Sequence, residues 1–236
     1  MTTVYQVLRE SVSKHAFRPF LHIPAVASKS YADGAIDFSY QEMADSVEAQ
    51  QLIYRAAGYG LGHRVALVLD NRSEFFVHWF ALNALGVSVV PVNSEMTTDE
   101  IAYLLDHSES CLVISLLEHI PAIAEALASA QIKLPLLDAN ESELIPAAPT
   151  SALTGAPGAD TECALLYTSG STGKPKGCVL TNEYFIVCAQ WYRGMGGLCP
   201  VEEGVERLLT PLPLVHMNAM ACSSMVMLMT GGCVVQ

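Results

Sequence analysis

The chain has 236 residues, of which 51% are hydrophobic and only 15% charged, enough apolar material for a sizeable core under a thinly charged surface. Acidic residues outnumber basic ones 24 to 12, for a net charge of −12, which opposes binding to a phosphate backbone and excludes nucleic acid as a partner. The seven cysteines are odd in number and contain no C-x-x-C spacing, so zinc-ribbon and thioredoxin patterns are excluded.

The N-terminus, Met1 to Glu10, lacks the basic region and apolar core of a secretory signal. Val4, Val7, Leu8 and Val12 fall on one helical stripe, and Phe20 to Ile23 reads as extended. Ser39-Tyr-Gln-Glu42 has the form of a capping box and opens a helix to about Ala57. Arg64 to Leu69 is a continuous apolar run, as a strand buried on both faces requires. Ser73 is expected to cap a helix from Glu74 to about Leu85, followed by a buried strand over Val87 to Val92. Thr97-Thr-Asp-Glu100 caps a further helix to about Asp106, Cys111 to Ile114 is a strand, and Ile120 to Ala130 a helix. Strands alternating with helices of this length predict right-handed crossovers and a mostly parallel sheet.

Residues 138 to 160 change character, with Pro146, Pro149, Pro157, Gly155 and Gly158 among four acids, and read as a linker or surface excursion. This divides the chain into a first α/β unit over 1–160 and the start of a second over 161–236. Beyond it, strands are expected at Cys163 to Tyr167 and Gly177 to Leu180, with Asn182 capping a helix to about Trp191. The apolar stretch Met217 to Val235 contains Asn218, Ser223, Ser224 and Thr230, so it reads as a buried helix and strand, not a membrane span. Its methionines, Met217, Met220, Met225, Met227 and Met229, suit core packing. A soluble, cytoplasmic protein is expected. The close on Gly-Gly-Cys-Val-Val-Gln236, inside a strand pattern, suggests that the natural chain is longer.

Between the two expected strands lies Tyr167-Thr-Ser-Gly-Ser-Thr-Gly-Lys-Pro-Lys-Gly177. Its glycines let successive N–H groups form an anion-binding concavity. Thr168, Ser169, Ser171 and Thr172 add hydroxyl donors, and Lys174 and Lys176 place positive charge in an acidic protein where a phosphate would need it. The P-loop pattern fails, because Gly170 and Gly173 are too close and Pro175 follows Lys174. The dinucleotide fingerprint fails on the spacing of Gly170, Gly173 and Gly177.

This segment resembles the signature of the adenylate-forming (AMP-binding) superfamily, which includes acyl-CoA synthetases, peptide-synthetase adenylation domains and luciferases. Asn71-Arg-Ser-Glu-Phe-Phe76, Gly86 to Asn93, Thr98-Asp-Glu100 and Pro211-Leu-Pro-Leu-Val-His216 extend the resemblance over roughly 35–236. It implies an α/β fold of mostly parallel sheets flanked by helices, the partial N-terminal large domain of such an enzyme. It implies ATP, Mg2+ and CoA as co-substrates and a small carboxylic acid as substrate, with the acyl-CoA synthetase branch favoured. Carried onto this sequence, it makes Thr168, Ser169, Gly170, Ser171, Thr172, Gly173, Lys174 and Lys176 the phosphate-binding residues. Lys176 matches the more constant lysine position and Lys174 a variable one. His216 would border the acyl or adenylate pocket, against the plainer reading of a structural histidine. No catalytic or metal-ligating residue of the family falls within this stretch; the Tyr-Gly-x-Thr-Glu segment that helps to hold magnesium is expected beyond residue 236. The fragment alone is therefore expected to be inactive. The rival reading is a non-enzymatic nucleotide-binding module derived from such a ligase. A homo-oligomer stays open.

Overall fold

The computed structural model of the protein describes residues 2–25, 34–168 and 174–236. Two sheets share one large core. The first has four strands: β1 (Pro19–Ile23), β2 (Ile36–Ser39), β9 (Arg207–Leu209) and β10 (Cys233–Val235), in the order β2-β1-β10-β9. The second has six: β3 (Arg64–Val68), β4 (Ser88–Pro91), β5 (Leu112–Ser115), β6 (Leu136–Asp138), β7 (Glu162–Thr168) and β8 (Lys176–Thr181). Their order is β6-β5-β3-β4-β7-β8, all parallel except the antiparallel edge pair β7–β8. Strands from both sides of residue 160 meet in each sheet, since β1 pairs with β10 and β4 with β7.

The inner strands β3, β4 and β5 of the six-stranded sheet are buried on both faces, with side chains alternating between two cores, while the edge strand β8 is largely exposed. Val65, Leu67 and Leu69 of β3 point into the larger core, while Ala66 and Val68 point into the smaller. The larger core also holds helix α1 (Val4–His15), α2 (Tyr40–Ala56), α3 (Ser73–Ala84), α6 (Asn182–Gly194) and α7 (Met225–Thr230). Helix α3 brings Phe75, Phe76, Trp79 and Phe80 into it, all fully buried, as a helix apolar on every side must be. The smaller core is covered by α4 (Thr98–His107) and α5 (Ile120–Ser129).

The expected capping boxes are present at Ser39/Glu42 and Thr97/Glu100, and Thr3/Gln6 adds a third. Two other caps differ from expectation. Helix α3 begins at Ser73 itself, after Arg72, with no side-chain cap, because the Ser73 hydroxyl donates to Glu74 instead. Helix α6 is capped by Thr181, which accepts from the Tyr184 amide. Asn182 is instead fully buried: its Oδ1 accepts from the Val4 amide (3.0 Å) and Asn83 Nδ2 (2.8 Å), and its Nδ2 donates to the Gly158 carbonyl (3.0 Å). One amide thus satisfies an orphan N–H at the start of α1 and ties three distant segments together.

Residues 138 to 160 form a surface excursion fastened to the body, with the Ala148 amide donating to the Ala57 carbonyl and Leu153 to Leu61, both at 2.8 Å. The stretch after His216 opens as a π-helix, Asn218–Ser224, and continues as α7. Gly231 ends α7 at φ 68°, and a Cβ there would lie 2.4 Å from the His15 ring, so only glycine fits.

Candidate functional site

In a parallel sheet the loops at the carboxyl ends of the strands gather at one edge, where α/β proteins bind their ligands. The chain leaves β3 toward β4 on one side and β5 toward β6 on the other, so the crevice between β3 and β5 is the switch point. A cleft of about 460 Å³ opens there, lined by Asp70, Asn71, Ser94, Glu95, His119 and Leu214 among others.

Strand β7 runs parallel to β4 and delivers the Gly/Ser/Lys motif to this same edge. Thr168 and Lys176 are Cα partners across the antiparallel β7–β8 pair, so the two ends of the motif stand opposite each other. Ser169, Gly170, Ser171, Thr172 and Gly173 lie outside the described residues. Thr168, Lys174 and Lys176 are all exposed. Every ion pair among the described residues uses an arginine or histidine as its cation, so neither lysine is engaged by a carboxylate. In a protein with twice as many acids as bases, two ammonium groups with no carboxylate partner among the described residues can serve an incoming anion.

Helix α4 meets both flanks of the motif. Tyr103 Oη donates to the Pro175 carbonyl at 3.2 Å, and Lys174 Nζ sits 4.7 Å from the centre of the Tyr103 ring. One turn later His107 Nδ1 lies 2.8 Å from the Tyr167 hydroxyl. Burial pushes the Tyr167 phenol up to about 12, so it keeps its proton beside that nitrogen.

His216 is exposed and lies immediately before the π-helix. Its loop is pinned to the end of β3 by Asn71, whose Nδ2 donates to the Leu212 carbonyl (3.0 Å) and whose Oδ1 accepts from the Leu214 amide (2.8 Å). The structure thus brings Thr168, Lys174 and Lys176 together on one hairpin and carries His216 on a separate loop tied to the same sheet edge. Sequence reasoning gave Tyr103 and His107 no role, and Asn71 and Tyr167 enter it only as members of quoted segments. For Tyr103 one signal existed: it is an aromatic standing off the buried Ile101, Leu104, Leu105 stripe of α4.

Asp70, Glu118 and His119 each bring a ligand-type atom within 4.8 Å of the others. All three are already engaged. Asp70 accepts from Ser94 (3.0 Å) and lies 3.0 Å from His119 Nε2, and Glu118 pairs with Arg72 at 3.5 Å. They form a charge network at the cleft rim. At the opposite edge of the sheet, Arg64 spans β4 to grip Glu162 with two bonds of 2.8 and 2.9 Å. Burial acts to raise the Glu162 pKa, but the Arg64 hydrogen bonds, a Ser88 hydrogen bond and the Arg64 charge together outweigh it and the net shift is downward.

The sheet is mostly parallel, with helices packed on it and a β7–β8 hairpin carrying Thr168 and Lys176 at its carboxyl edge, an α/β architecture. The chain belongs to the AMP-binding enzyme family, whose model matches residues 9–236. It is 33% identical over 187 residues to the sulfoacetate–CoA ligase of Cupriavidus necator, an alignment covering 77% of this chain and 36% of that enzyme. It is 29% identical to the crotonobetaine/carnitine–CoA ligase of Citrobacter koseri over 80% of this chain and 38% of that protein. The inhibitor-bound N-terminal domain of FACL13 from Mycobacterium tuberculosis shares the fold, with a TM-score of 0.81 at 24% identity over 100% of this chain and 57% of that one. The chain thus spans well under half the length of the curated relatives it matches. Among the described residues, no helix is long and apolar enough to cross a membrane.

Proposed function

We propose that this chain carries the phosphate-binding part of an ATP-dependent, AMP-forming carboxylate–CoA ligase. The observation that carries the reading is the hairpin itself: Thr168 faces Lys176 across β7–β8 at the carboxyl edge of the sheet, and Lys176 has no carboxylate partner among the described residues. In the reaction, a carboxylate oxygen bonds to the α-phosphorus of ATP while the bond from that phosphorus to the bridging oxygen breaks, releasing pyrophosphate. The thiol of CoA then attacks the acyl carbon and AMP leaves. The first step moves charge onto the β- and γ-phosphates, where fixed hydroxyls and an ammonium stabilise it most. Thr168, Lys176 and, more loosely, Lys174 hold those oxygens, with Ser169 to Gly173 between them.

His216 borders the acyl or adenylate pocket in this reading. The two ligases named above are named for sulfoacetate and for crotonobetaine or carnitine, and a small carboxylic acid suits this chain. ATP, Mg2+ and CoA are the co-substrates, and the cytoplasm is the compartment. The 236 residues by themselves bind nucleotide phosphate and complete neither half-reaction.

The test is calorimetric titration of the full chain with Mg2+-ATP and with pyrophosphate. Binding is expected for both, and Lys176→Ala should weaken it roughly 10- to 100-fold, the range of one charge-assisted hydrogen bond. An affinity unchanged in Lys176→Ala would remove the phosphate assignment. ATP–pyrophosphate exchange by this chain with any carboxylic acid would overturn the expectation of inactivity.

A further inference from the structure

We infer that α4 is the positioning element of the phosphate-binding hairpin, with Tyr103 and His107 as its two positioning residues and the Tyr103 ring as the resting seat of Lys174. The inference rests on the phosphate reading above and adds to it a pair of residues outside the motif.

Tyr103 and His107 are one turn apart on α4 and share a face, with ring centroids 5.2 Å apart. Each holds a different flank of the motif. His107 is hydrogen-bonded to the Tyr167 hydroxyl on the incoming strand, and Tyr103 donates to the Pro175 carbonyl on the outgoing one. Pro175 has no N–H and a fixed φ, so its carbonyl is a stiff handle, and the residue before it, Lys174, is restricted to extended geometry. The helix that does the holding is itself immobilised. Ile101, Leu104 and Leu105 are buried against the sheet, and the Thr97/Glu100 box fixes its first turn. Two bonds from one rigid helix therefore set the separation and height of the hairpin's two sides above the sheet.

The seat of Lys174 has a second consequence. Its ammonium rests over the Tyr103 ring beside a shallow cleft whose lining includes Asp99 and Asp106. A cation over a ring at an exposed site is held weakly. A doubly charged phosphate outcompetes the ring for the same ammonium, so Lys174 is stored within reach of its ligand and Lys176 stands free of any such contact. The two lysines then divide the work: Lys176 receives the phosphate, and Lys174 moves to it from the ring.

The experiment compares the wild-type chain with Tyr103→Phe, Tyr103→Leu and His107→Ala. Phe keeps the ring and loses the bond to Pro175; Leu loses both. Two readouts are taken at matched thermal midpoints: Mg2+-ATP affinity, and the ligand-free rate of tryptic cleavage at Lys176–Gly177, since Lys174 precedes proline and resists the protease. Tyr103→Phe and His107→Ala should each weaken ATP binding roughly 3- to 10-fold, as one lost neutral hydrogen bond does. Both should also speed cleavage by a similar factor, and Tyr103→Leu, which also releases Lys174 from the ring, should exceed Tyr103→Phe in the cleavage readout. Cleavage at the wild-type rate in Tyr103→Phe and His107→Ala overturns the clamp. Faster cleavage with unchanged ATP affinity overturns the positioning role while leaving the phosphate reading intact. Absence of ATP binding by the wild type removes the phosphate reading, and the positioning role with it, and the two failures are told apart by that arm alone.

Discussion

His78 lies on α3 with 2% of its surface exposed and its Nδ1 2.8 Å from the Tyr54 hydroxyl. Burial lowers its pKa from 6.5 to about 4, against a smaller opposing pull from Glu74. The unfolded chain therefore takes up a proton at this residue between about pH 6.5 and pH 4 that the folded chain refuses. Its contribution to stability is complete above the unfolded pKa and is lost as pH falls toward the folded one. The size is at most about 3 kcal/mol. Urea midpoints should be level above neutrality and fall through that window, and His78→Gln should flatten this part of the profile. A wild-type midpoint that stays level down to about pH 4 would sink the assignment. Residues of this kind differ in how openly the sequence declares them. Lys176 and Thr168 were legible because they sit in an eleven-residue pattern with an evident electrostatic use. Asn182 looked like a cap, since Asn before a helix usually is one. Its true partners, Val4, Asn83 and Gly158, come from three remote segments that no local pattern can reveal.

At the scale of the element, α4 shows how a short signal governs a larger arrangement. Thr97 accepts from the Glu100 amide, and the Glu100 carboxylate accepts from the Thr97 amide at 2.9 Å. Thr97→Ala should cost about 1 kcal/mol, read as a lower urea midpoint at unchanged slope. No change would mean that the box merely decorates a helix fixed by its buried face. Such boxes, the apolar runs of β3 to β5 and the helices between them were legible because each depends on neighbours within four residues. Sheet order was not, because pairing joins segments far apart: the antiparallel β8 closes one edge of the larger sheet, and β10 slips between β1 and β9 in the smaller. The grip of α4 on the hairpin was hidden for the same reason, since Tyr103 and Pro175 meet only through the fold.

For the molecule as a whole, the decisive fact is that the larger core is common to both sheets: Phe20 and Leu21 of β1, Val65 of β3, Leu166 of β7 and Val234 of β10 all belong to it. Because this core binds the two sheets together, the chain should unfold as one unit. Far-ultraviolet circular dichroism and the fluorescence of Trp79, isolated by Trp191→Phe, should trace the same urea transition. Two separated transitions would mean that the sheets are independent. The parallel pairing of Leu21 with Val234 reaches further, into the birth of the protein. A ribosome adding roughly 5 to 20 residues per second needs on the order of 10 to 40 s to travel from β1 to β10. Throughout that interval the edge of β1 that will meet β10 lacks its partner, although β2 on its other edge and the Tyr40, Phe76 and Phe80 rings that pack on Phe20 are made early. That one open edge of nascent β1 is therefore a place where a chaperone can act.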